Sequence, residues 1–150
     1  MAYAIAGYAV LVDNLPLLGV GDGVDVKVFW TVAAAEAEAE PIDVESGVWE
    51  FFDSNALRLA CTVERNRTRI HSQDAASQES DLLSGILRKS LLAIPTDRLS
   101  RRKVEIERAD LAGLVALHVD LDRRIRSGEI MAPGLWASIR SSARRLLGGN

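Results

Sequence analysis

GVGDGVDVKVFWTV, residues 19–32, decides between two architectures. A glycine-rich stretch that feeds a helix cradles a phosphate and opens an α/β unit, whereas one that feeds a strand is the turn of an antiparallel hairpin. The residues after Gly23 alternate in polarity, are β-branched and aromatic, and contain no Gly-Lys-Ser/Thr. That pattern rejects the phosphate loop. Asp22-Gly23 therefore reads as a hairpin turn, and the N-terminal half as an antiparallel sheet.

Working toward the N-terminus, VDNLPLLG (12–19) supplies turn chemistry, and residues 2–12 suit a buried strand. The apolar opening has no Lys or Arg ahead of it, and Asp13, Asn14 and Pro16 interrupt it short of the ~20 residues a membrane span needs. Downstream, AAAEAEAEP (33–41) puts Glu36, Glu38 and Glu40 on one face if the chain is extended. Such a segment is either an acidic edge for a basic partner or an exposed strand tail ending at Pro41. GVWEFFD (47–53) and ALRLACTVERNRTRI (56–70) then read as two strands joined at Ser54-Asn55. In the second, Leu57, Leu59, Cys61 and Val63 share a parity that continues as Arg65, Arg67 and Arg69. This predicts a basic stripe, able to grip phosphates or carboxylates or simply to face solvent. Cys61 reads as a small core residue, and a lone cysteine closes no internal disulfide.

The C-terminal half has helical periods. HSQDAASQES (71–80) is loop-like, with Ser77 or Ser80 as the cap of a helix in DLLSGILRKSLLAI (81–94). Its apolar side carries Leu82, Leu83, Ile86, Leu87, Leu91 and Ile94, with Arg88-Lys89 opposite and Pro95 as the stop. RKVEIE (102–107) alternates like a short strand, and a long helix is expected from Asp110 to Arg126, ending at Ser127-Gly128. Beyond Pro133-Gly134 a last helix, 135–147, aligns Leu135, Trp136, Ile139, Ala143, Leu146 and Leu147, with Arg140, Arg144 and Arg145 off that stripe. The expected fold is α+β: an N-terminal antiparallel sheet of four to five strands packed with three C-terminal helices. Residues 1–131 form the core domain, and 132–150 a basic amphipathic arm.

LHVDLD (117–122) holds one of the two histidines. On a strand, His118, Asp120 and Asp122 would share a face and suit a metal. The flanking Leu111, Leu114, Val115, Leu121 and Ile125 instead have helical spacing, which turns Asp120 away and leaves His118 and Asp122 in the apolar stripe. The pair is expected either to be satisfied at a core edge or to face a second chain. No catalytic residue, metal ligand or cofactor is assigned.

Apolar residues at 48% and charged residues at 26% are ordinary for a globular protein and exclude global disorder. The charge is partitioned: residues 1–87 carry 5 Lys and Arg against 14 Asp and Glu, a net of −9, and residues 88–150 carry 13 against 7, a net of +6. Such a chain can associate head to tail with its copies or offer its basic end to a polyanion, unless solvated faces have merely segregated.

GDGVDVKVFWTV (21–32) followed by PIDVESGVWEFF (41–52) resembles the opening of β-rich phage tail and baseplate domains, where a strand precedes a P-[VI]-D-[LV]-x-x-G turn. RRKVEIERADLAGLVALHVDLDRRI (101–125) is similar to the strand-then-helix close of small phage head-tail joining proteins. The resemblance implies a non-enzymatic virion subunit acting in many copies, made in the cytoplasm and carried in the virion. The expected partners are copies of itself or other subunits of a large assembly, not a membrane. The alternative is a nucleic-acid-binding accessory protein using Arg65, Arg67, Arg69, Arg140, Arg144 and Arg145.

Overall fold

A computed structural model describes residues 14–23, 25–73, 77–94 and 103–129. Five strands form one antiparallel sheet: β1 (Leu17–Gly21), β2 (Asp25–Phe29), β3 (Trp49–Phe52), β4 (Arg58–Glu64) and β5 (Arg67–His71), in the order β2-β1-β3-β4-β5. The β1–β2 connection is the expected hairpin, with Asp22 and Gly23 at φ 49° and 76°. The α+β class with an antiparallel sheet in the N-terminal half is thus observed.

Alternation along the strands explains the layering. Leu17 and Phe51 face one side of the sheet, their neighbours Leu18 and Phe52 the other, and each side has its own apolar cluster. Since β1 is buried at all five positions, both faces must be covered, which is unusual for an antiparallel sheet. Two helices between β2 and β3, α1 (Val32–Glu38) and α2 (Pro41–Glu45), carry the chain across β1 and cover the first face with Val32, Ala35, Ala39 and Val44. Helices α3 (Ser80–Leu92), α4 (Lys103–Arg108) and α5 (Leu111–Arg126) cover the second, with Leu83, Leu87, Leu91, Ile106, Leu114 and Val115.

Several expectations are corrected. The stretch 33–41, expected to be extended, is helical: Thr31 caps α1 by accepting from the Ala34 amide at 3.1 Å, and alanine has the strongest helix preference. Val32, Ala35 and Ala39 then recur at a helical interval on the buried side, while the alternating glutamates scatter. The segment 56–70 is a hairpin, not one strand. Arg65 and Asn66 turn the chain at φ 48° and 60°, without the glycine that usually announces such a turn. Lys103–Arg108 is helix rather than strand; only Ile106 is buried there and Val104 lies exposed. Arg88, expected on the outer face of its helix, donates from Nε to the Ile106 carbonyl at 3.3 Å and from Nη2 to the Ala109 carbonyl at 3.0 Å, tying α4 to α3. Leu17, Leu18 and Gly19, expected within a turn, belong to strand β1. The cap of α3 is Glu79, without a side-chain bond, rather than Ser77 or Ser80. The long helix ends as expected, capped by Asp110 and closed at Ser127-Gly128. The strand expected at 2–12 and the helix expected at 135–147 lie outside the described residues, as does the whole of the expected arm 132–150.

Candidate functional site

The three expected arginines of the basic stripe are separated by the β4–β5 turn. Arg65 occupies the turn itself, Arg67 opens β5 beside Glu64, and Arg69 lies two residues further on. Arg69 is already engaged, with its Nη1 3.6 Å from the Glu36 carboxylate. The other oxygen of that carboxylate accepts from the Ile70 amide at 2.9 Å, so Glu36 is fixed against β5 from α1. A surface pair of this kind is worth little, but it removes one of the three cations a polyanion would need. Arg140, Arg144 and Arg145 lie outside the described residues.

His118 is 3% exposed and sits on the inner side of α5, where its Nε2 lies 3.0 Å from the Leu87 carbonyl of α3. A carbonyl only accepts, so Nε2 carries the proton and donates. Burial lowers the ring's pKa, and the Leu87 bond offsets this only in part. Asp122 takes a different partner, pairing with Arg126 at 2.8 Å one turn on. The expected partner-facing pair is therefore corrected: His118 cannot face a second chain because it is enclosed by its own.

Every arginine in the last turn of α5 is matched locally, Arg123 by Asp120 at 2.8 Å, Arg126 by Asp122, and Arg124 by Glu129 at 3.3 Å. Arg58 is likewise consumed inside the fold. It bridges Glu50 at 3.0 Å and Glu79 at 2.5 Å over the Phe52 ring, and the bond to Glu79 is the main cause of its raised pKa. Among the described residues Arg65, Arg67, Lys89 and Arg108 have no carboxylate partner, and a group of carboxylates at α2 has no cationic one. Glu38 pairs with Lys27, which also lies over Trp49, but Glu40, Asp43 and Glu45 have no cationic partner among the described residues. The Asp22 amide donates to the Val48 carbonyl at 3.1 Å, which brings the acidic β1–β2 turn up to the end of α2. Asp22 thus lies near the end of the helix that carries Glu40, Asp43 and Glu45, where Ile42 is 67% exposed. Among the described residues no three His, Cys, Asp or Glu side chains could together hold a metal ion.

This acidic surface was only half legible. The alternating glutamates pointed to an acidic edge that docks a basic partner, but on a strand. The contribution of Asp22 depends on its amide reaching the Val48 carbonyl after α2, for which the sequence carries no signal.

Cys61 lies on the α1 side of the sheet, and burial with nearby Glu36 pushes its thiol up to about 11. At neutral pH it should therefore alkylate with iodoacetamide about a hundredfold more slowly in the native protein than in the denatured chain, because the thiolate is the nucleophile. Equal rates in the two states would place Cys61 in solvent.

No protein-family model, curated protein or solved structure matches the chain. Among the described residues no helix is long and apolar enough to cross a membrane.

Proposed function

We propose that this protein is a non-enzymatic assembly subunit whose copies associate head to tail, the basic C-terminal end of one meeting the acidic surface of the next. The observation that carries the reading is the unmatched charge at α2. Glu40, Asp43 and Glu45 have no cationic partner among the described residues, while the arginines of α5, and Arg58 and Arg69, are spent on local partners. Residues 130–150 offer the complement, three arginines and no acidic residue around an apolar stripe. Complementary fields of this kind steer and orient association. The resemblance of the sequence to phage tail, baseplate and head-tail joining proteins suggests a virion as the assembly.

Light scattering across a salt series tests this. The expected mass exceeds one chain at low salt and falls as ionic strength rises, because exposed charges are screened beyond about 8–10 Å near physiological salt. The double variant Asp43→Lys, Glu45→Lys should remove the salt-sensitive step. A single-chain mass at every salt concentration would sink the reading.

A second reading, a nucleic-acid-binding accessory protein, rests on Arg65 and Arg67 at the exposed β4–β5 turn. Arginine at a left-handed φ is less comfortable than Gly or Asn, which points to use of its charge. A gel shift with nonspecific DNA and RNA that disappears in Arg65→Ala, Arg67→Ala would select it over the first.

A further inference from the structure

Among the described residues helix α3 buries one apolar face and leaves two leucines outside it. Leu83, Leu87 and Leu91, spaced four apart, are buried against the sheet and α5. Leu82 and Leu92 are 45% and 43% exposed. With Gly85 and Lys89 they give the spacing 3-4-3, which is the a/d seam of a helix pair. Gly85 sharpens the argument. A glycine in a helix interior costs about 1 kcal/mol relative to alanine. Among the described residues nothing requires it, since a Cβ at position 85 would meet none of their atoms within 4 Å. A mid-helix residue without a side chain is useful where another helix comes close.

We infer that this seam is a two-fold contact between copies, α3 packing antiparallel against α3 of a second chain. A two-fold interface must be self-complementary, and in an antiparallel pair each a position faces a d position of the other helix. Centred on Leu87, the seam satisfies this with all four of its residues. Leu82 meets Leu92 of the second copy, and Gly85 meets its Lys89, whose aliphatic stem lies across the glycine notch while the ammonium reaches out. The same register puts Asp81 about 6 Å along the axis, one turn, from that lysine, close enough for a charge pair across the axis. Ile86, half-buried beside the seam, approaches its own symmetry mate. A helix of 13 residues buries a small area, so the dimer is a weak one and its mass is read over a concentration series.

The inference builds on the reading of the chain as a multi-copy subunit but uses a different surface, and the two contacts separate by salt. Screening dissolves the contact between charged surfaces and leaves apolar packing intact or strengthened. The full-length protein is therefore weighed by light scattering in about 1 M salt, at a Debye length near 3 Å. The expected result is a concentration-dependent dimer there, returned to one chain by Leu82→Glu or Leu92→Glu with the circular dichroism unchanged. In a Cys61→Ala background, Leu82→Cys and Leu92→Cys should each stay uncrosslinked alone and give a disulfide-linked dimer when mixed and oxidised. A single chain at all concentrations in high salt overturns the inference while a low-salt assembly keeps the charge reading. A dimer indifferent to both glutamates, or an 82–82 crosslink in the single variant, overturns it equally.

Discussion

Phe51→Ala will lower the unfolding free energy by about 3–5 kcal/mol, the range for emptying a large aromatic site in a packed core. Phe51 is 1% exposed, stacks on Trp49 with centroids 5.5 Å apart, and meets Phe29 at 6.2 Å. All three rings crowd over Gly19, where a Cβ would fall 2.9 Å from Phe29, 3.0 Å from Phe51 and 3.1 Å from Trp49. The small residue is what lets the rings lie over the strand. Phe51 therefore joins β1, β2, β3 and the α1 layer. Urea denaturation followed by tryptophan fluorescence measures the loss. A loss below about 1 kcal/mol would mean that α1 and α2 do not close over the sheet.

His118 is expected to make the protein acid-sensitive. Its folded pKa lies below 6.5, so between that folded value and 6.5 the unfolded chain binds a proton that the native state refuses. Stability is then full above pH 6.5 and falls as pH drops below it, by at most about 1.4 kcal/mol per pH unit from this group, until the buried ring itself titrates. His118→Gln, which keeps a donor toward the Leu87 carbonyl but does not titrate, should flatten this part of the profile. His118→Ala should cost about 2–5 kcal/mol even at pH 7.5 by emptying a buried site. Parallel pH profiles for wild type and the glutamine variant would show that the ring is solvated.

The antiparallel sheet was legible because Asp22-Gly23 is a local signal, a turn written in the residues that make it. Five strands were within the expected range, but their membership differs. Of the expected strands, 102–107 falls in a helix, and 2–12 lies outside the described residues. Leu17–Gly21 and the second arm of the segment read as one strand are the additions. Lys103–Arg108 misled because two apolar residues separated by one fit both a strand and a helix with a single buried position. The alanine-glutamate run misled in the opposite way, since its polarity alternated while its propensity and its Thr31 cap favoured helix. The second apolar layer was missed for that reason. At the candidate surfaces, charge was readable and pairing was not. Nothing local says that Arg69 meets Glu36, 33 positions earlier, or that His118 finds a carbonyl on another helix rather than Asp122 on its own.

Glu36 has a further consequence. Among the described residues strand β5 ends the sheet, and the edge of a sheet is where foreign strands add on, from domain swaps to fibrils. An incoming strand must bring a carbonyl to the Ile70 amide, and that position is held by a carboxylate that belongs to the chain's own helix. The intruder would have to displace a hydrogen-bonded anion and strand Arg69 at the same time. At high protein concentration the chain is thereby guarded along this border against the edge-to-edge pairing that leads to amyloid-like growth.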